Sequence, residues 1–186
     1  MAYNVPIHSL ISMLTISREA DYAVRLLVHL AAANPQRVSS RTLVEAEQVP
    51  ESFLFKILQR LMRHRVIRSY RGVNGGYRLA VDPERLTLYR LLEIVEGPIG
   101  LNVCVLSGQG CELSAGCAVH DVWVAAQKQL RETLESATVA VLARRTLEKR
   151  RRLDEVFSKS AGSQFAKETG YGSKSVCQIS APRGSV

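Results

Sequence analysis

The chain has 186 residues, 46% of them apolar, and a formal net charge of +8, with a sequence pI of about 9.6. That length holds one domain with its own core plus an extension, and the charge calls for an acidic partner, nucleic acid ahead of a membrane surface. No apolar run approaches the roughly 20 residues that span a bilayer, and M-A-Y-N-V-P-I-H-S-L-I-S lacks a basic segment followed by an apolar one. The expectation is therefore a cytoplasmic protein with neither membrane span nor secretory signal.

Residues 1–12 read as a short N-terminal extension. Ile16 to Ala33 reads as an amphipathic helix capped by Ser17. Glu19 and Asp21 lie in its first turns, where the helix dipole favours negative charge. Ala20, Ala23, Val24, Leu27, Val28, Leu30 and Ala31 recur at helical spacing, and Asn34-Pro35 ends the run. Ser39 or Ser40 then caps a short helix through Glu47. Val49-Pro50 forces a turn, because the residue before proline avoids helical geometry. A second helix starts at Glu51 or Ser52 and runs to about His64. Phe53, Leu54, Ile57, Leu58 and Leu61 supply its buried side. Two helices across a tight turn fit a helix-turn-helix. The opposite face carries Ser52, Lys56, Gln59, Arg60 and Arg63, a set suited to phosphates and base edges.

Ile67 to Ala80 holds two short alternating runs around Gly72-Val73-Asn74-Gly75-Gly76. Asn-Gly supplies the positive φ angles of a tight hairpin, and Arg68, Arg71 and Arg78 decorate it. A basic hairpin after a helix-turn-helix is the pattern of a winged helix. Pro83 to Glu96 resumes helical spacing and Gly97-Pro98 stops it. From about Ala118 an uninterrupted helix is predicted towards Arg152. Roughly 30 residues of helix span about 45 Å, more than this domain needs for its own core, so the helix is predicted to pack against a second copy. The tail from about Phe157, with Cys177, is polar and predicted to be disordered. The chain thus divides into an extension 1–12, a winged helix-turn-helix domain 13–82, a connecting helix and cysteine loop 83–117, a dimerisation helix 118–152 and a tail 153–186. The fold class is mainly α with a small β-hairpin.

Between the connecting and long helices lies C-V-L-S-G-Q-G-C-E-L-S-A-G-C-A-V-H-D-V-W. Cys104, Cys111 and Cys117 sit among Gly, Ser, Gln and Glu, a poor core environment. In a reducing compartment clustered thiols more often ligate metal or sense redox state than form disulfides. Three thiolates on a short loop can converge on one metal or cluster, and His120, one turn after Cys117, offers an imidazole. Asp21, from another helix, is the competing fourth ligand. No phosphate-binding loop or catalytic triad accompanies the cysteines, so an enzyme is not expected.

The order M-L-T-I-S-R-E-A-D-Y-A-V-R, V-P-E-S-F-L-F-K-I-L-Q-R-L, R-G-V-N-G-G-Y-R-L, L-E-I-V-E-G-P-I and the three-Cys loop, from Met13 to Arg145, resembles the IscR/NsrR-type family of iron–sulfur winged-helix transcription regulators. The resemblance implies a homodimer on double-stranded promoter DNA, with Cys104, Cys111 and Cys117 as cluster ligands. C-A-V-H-D-V-W is similar to the branch in which His120 would complete a [2Fe–2S] site, the preferred cofactor. A-D-Y-A-V-R is similar to the nitric-oxide-sensing branch in which Asp21 would complete a [4Fe–4S] site across the dimer. It further implies Ser52, Phe53, Lys56 and Arg60 facing DNA from the recognition helix, with Arg71 and Asn74 at the wing. The reading is a DNA-binding regulator whose affinity follows an iron–sulfur cluster sensing redox, nitric oxide or cluster status. A regulator with structural zinc or a thiol switch is the alternative, and an iron–sulfur redox enzyme ranks third.

Overall fold

The structure is a computed structural model describing residues 15–106 and 112–161, with side chains up to Val156. The extension 1–12, Cys111 and the tail beyond residue 161, Cys177 included, lie outside the described residues.

Helix α1 (Arg18–Ala32) is the hub. The Ser17 hydroxyl accepts from the Ala20 amide at 3.2 Å and starts it. Ala20, Ala23, Leu26, Leu27 and Leu30 are wholly buried along one stripe, each leucine stabilising by roughly 1.5–3 kcal/mol relative to exposure. Helix α2 (Ser40–Glu47) is capped by Ser39, which accepts from Thr42. Gln48 then turns the chain in the left-handed region (φ 49°), and Pro50 precedes helix α3 (Glu51–Arg63). Leu54, Ile57, Leu58 and Leu61 bury one side of α3, so α2 and α3 form the expected helix-turn-helix against α1.

Strands β1 (Ile67–Tyr70) and β2 (Gly76–Leu79) pair antiparallel with Ile67 opposite Leu79 and Tyr70 opposite Gly76. The positive φ angles fall on Gly72 (98°) and Gly76 (145°), not on Asn74. Five residues, 71–75, join the strands, closed by the Gly75 amide on the Gly72 carbonyl at 2.8 Å. The wing is fastened at its base, where Tyr77 and Val38 exchange two backbone hydrogen bonds.

Three expectations are corrected downstream. The helix predicted from Pro83 begins only at Leu88 (α4, Leu88–Glu96). The Asp82 carboxylate accepts from the Glu84 amide at 2.9 Å, holding residues 82–85 in a turn, and extended Thr87 caps α4 through Arg90. The single helix predicted over 118–152 is two, α5 (Ala118–Ser136) and α6 (Val139–Ala161). Ala137 and Thr138 are drawn into an antiparallel bridge with residues 86–88. The Leu88 amide donates to Ala137 and the Val139 amide to Leu86, each at 2.8 Å. These bonds replace helical ones, so no Gly or Pro is needed for the break. Thr138 then caps α6 through Val141 at 3.2 Å. Helix α6 packs back on α1 and continues to Ala161, so residues 153–161 are helical where a tail was expected.

Candidate nucleic-acid interface and cysteine site

The outward face of α3 is a line of Ser52, Phe55, Lys56, Gln59 and Arg63, all exposed. Phe55 is 52% exposed. It went unmarked in the sequence, although an aromatic at the i+3 position from Ser52, on the polar face of an amphipathic helix, is a legible signal. An exposed aromatic there can meet a thymine methyl.

The other residues assigned to DNA divide. Lys56 extends from this line towards α1 and pairs with Glu19 at 2.7 Å. Arg60 turns inward, lying 3.1 Å from Glu19 and donating to the Val95 carbonyl of α4. Phe53 stacks edge-on against Tyr22 with ring centres 5.5 Å apart. Glu19, 13% exposed at its side chain, therefore ties the side of α3 to α1 and neutralises cations that the sequence reading aimed at DNA. Arg71 and Asn74 stand exposed at the wing tip. The Asn74 carbonyl accepts from Arg37 at 3.4 Å. Arg37 and Arg78 flank the Tyr70 ring at 4.0 and 5.5 Å, stiffening a cationic wing.

The cysteine site is built on the start of α5. Cys104 occupies a 3-10 turn, Val103–Val105, capped by Asn102 and packed against α5. Gln127 of α5 pins the approach to it, accepting from the Leu101 amide at 2.9 Å and donating to the Ile99 carbonyl at 3.0 Å. A second 3-10 turn, Ser114–Gly116, delivers Cys117 to the N-cap of α5. The Cys117 carbonyl accepts from the His120 amide at 2.9 Å. Both thiols are free and half-buried. The His120 ring nitrogen Nδ1 is buried and meets no hydrogen-bond partner among the described residues, a state that normally needs an explanation such as a bound ion. Soft thiolates and an unpartnered imidazole fit an iron–sulfur cluster or zinc by donor chemistry. Asp21 behaves differently: its side chain is 56% exposed and lies 3.8 Å from Arg25 on the next turn of α1. Among the described residues no three of His, Cys, Asp and Glu gather closely enough to hold a metal, and Cys111 falls outside them.

The model of the Rrf2 family, described as iron-dependent transcriptional regulators, matches residues 16–145. The chain belongs to the Rrf2 family. Among Rrf2-type relatives, Rv1287 of Mycobacterium tuberculosis, named as an HTH-type transcriptional regulator, is 36% identical over 135 residues, covering 69% of this chain and 80% of that protein. The HTH-type transcriptional regulator NsrR of Bacillus subtilis is 28% identical over 134 residues, covering 71% and 86%. The solved structure of CymR, the global cysteine regulator of B. subtilis, superposes with a TM-score of 0.60 at 27% identity, covering 70% of this chain and 97% of that one. This Rrf2 protein is thus a DNA-binding transcription regulator of winged-helix fold, mainly α. No helix among the described residues is long and apolar enough to cross a membrane.

Proposed function

We propose that this Rrf2 regulator acts in the cytoplasm as a homodimer on palindromic promoter DNA. Its operator affinity would be set by an iron–sulfur cluster held by Cys104, Cys111 and Cys117, with His120 as the fourth ligand. The observation that carries the reading is the buried Nδ1 of His120, without a partner among the described residues, one turn from the free Cys117 thiol. Asp21, exposed and facing Arg25, is the weaker fourth donor; the His120 choice favours a [2Fe–2S] cluster. A bound cluster supplies a redox- and nitric-oxide-reactive centre at the hinge between head and α5. This chain's residues then fix how α5 leaves that hinge. Dimerisation through α5 is supported by its outer surface: no residue of α5 is buried, and Val119 and Val122 are 57% and 63% exposed on one side, a stripe a second copy would cover. Ser52, Phe55 and Gln59 would then read bases, with Arg63, Arg71 and Asn74 on the backbone or minor groove.

The test is anaerobic reconstitution with iron and sulfide, followed by binding to an operator selected from a random duplex pool. Wild type is expected to absorb in the visible and to differ 5–150-fold in operator affinity from a Cys104→Ala, Cys111→Ala, Cys117→Ala variant. His120→Ala is expected to perturb the spectrum and Asp21→Ala to leave it unchanged. Equal affinities of wild type and triple variant would rule out cluster gating. A colourless, zinc-loaded protein would favour structural zinc, and colourless, metal-free protein whose affinity follows thiol oxidation a thiol switch.

A further inference from the structure

A buried acid stands where three helices meet. Glu47, the last residue of α2, is only 5% exposed. Its Oε1 lies 2.8 Å from Nδ1 of buried His29 and accepts from Arg150 of α6 at 3.0 Å. Its Oε2 lies 3.6 Å from Arg25 of α1, and its backbone carbonyl accepts from the same guanidinium. Burial pushes the Glu47 carboxyl up. The hydrogen bonds and charges of His29 and Arg150 outweigh that and leave it below its usual value, so it is ionised at neutral pH.

The position of this acid matters more than its charge. Gln48, Val49 and Pro50 follow it, and the recognition helix begins at Glu51. Whatever holds Glu47 holds the turn that aims α3. Arg150 arrives from 103 residues away along the chain. Helix α6 has its apolar footing at its start, where Val139, Ala140 and Ala143 are buried. Residues 151–156 are all exposed. Beside that footing lies a cleft of about 490 Å³, lined by Val24, Val28, Leu142 and Thr146 among others, with Glu47 and Arg150 in its wall. At the Arg150 end of this cleft the ion pair ties α6 to the end of α2.

We infer that Arg150 and Glu47 form a latch through which the C-terminal helix sets the orientation of the recognition helix. Glu47 is a positioning residue for operator reading and Arg150 its remote handle. Helix α6 continues from α5 across the 137–138 break, so a displacement of α5 reaches the helix-turn-helix turn through this latch. The inference stands on DNA binding alone and needs no cluster.

The test compares full-length wild type, Arg150→Gln, Glu47→Gln and the double variant, with Arg151→Gln as control, since Arg151 pairs within α6 with Glu155. Each is titrated with a selected operator and with a random duplex of equal length. Arg150→Gln is expected to weaken operator binding 5–50-fold, within the range of ordinary couplings, while random-duplex affinity stays within twofold. In the Glu47→Gln background the same substitution is expected to add less than twofold, because the pair is already broken. Hydrogen exchange is expected to rise together in peptides covering 47–54 and 139–156. Arg150 is partly exposed, so its variant is expected to keep the wild-type melting profile, and a folded Arg150→Gln that binds the operator within twofold of wild type overturns the latch. Equal losses on operator and random duplex, or fully additive effects in the double variant, overturn it as well.

Discussion

Replacing Gly76 by alanine puts the wing's attachment to the head on a measurable scale. A Cβ at this position would sit 2.6 Å from the Val38 carbonyl oxygen and 2.8 Å from its carbon. Both are backbone atoms, so no side chain can swing away. The backbone φ of +145° is itself costly for a residue with a side chain, on the order of 1–3 kcal/mol. To make room, β2 must lift from Val38, giving up the Val38 amide on the Tyr77 carbonyl at 2.9 Å and the Tyr77 amide on the Val38 carbonyl at 2.8 Å. Each such bond contributes about 0.5–1.5 kcal/mol net. Strain and lost bonds together give a destabilisation of about 2–6 kcal/mol, a large share of the roughly 5–15 kcal/mol typical of a domain. Gly116→Ala is the control: nothing among the described residues lies within 4 Å of its added methyl, and the expected change is within about 0.5 kcal/mol. Urea unfolding followed by circular dichroism reads the energies, and amide exchange reads the site, where the Val38 and Tyr77 amides should lose protection. A Gly76→Ala protein as stable as Gly116→Ala, with the Tyr77 amide still protected, would refute the reasoning.

Other outcomes follow from the same geometry. Glu47 has a folded-state value below its ordinary value of 4.5. Its contribution is therefore present above pH 4.5 and lost as pH falls through the lower folded value. The stability gap between wild type and Glu47→Gln should shrink on acidification through that window, and a constant gap would contradict the assignment. Leu58→Ala empties a site 1% exposed between α3 and the core and is expected to cost about 2–5 kcal/mol in urea unfolding. Arg63→Gln removes an exposed cation from the outer face of α3. If it meets phosphate, the slope of log affinity against log salt should fall by about 0.9 per protomer, whereas an unchanged slope would place Arg63 off the DNA.

Much of the head is legible in the chain because its signals are local. The apolar stripe of α1, the Ser17 and Ser39 caps, Val49-Pro50 and the Gly-rich run 72–76 each constrain neighbouring backbone, and the helices and hairpin form where those signals lie. The cysteines are legible as a cluster in sequence because Cys104, Cys117 and His120 sit within one short segment around the start of α5. What sequence could not show is which way a side chain turns once helices pack. Arg60 reads as a cation on the polar face of α3, yet α4 offers the Val95 carbonyl and α1 offers Glu19 within its reach, so it leaves the DNA side. Phe55 is left outward by the same packing that buries Leu54, Ile57 and Leu58.

By itself the sequence determined where α1, α2 and α3 start, most of the core stripe of α1 and where thiols gather, since capping, periodicity and turn chemistry act over a few residues. Only the tertiary structure decided that the C-terminal helix breaks at Ala137–Thr138, because the bonds responsible come from Leu86 and Leu88, about fifty residues earlier. It alone decided that Arg150 returns to Glu47. Local preferences along 118–152 favour continuous helix, and a distant strand-like segment offering backbone hydrogen bonds outweighs them.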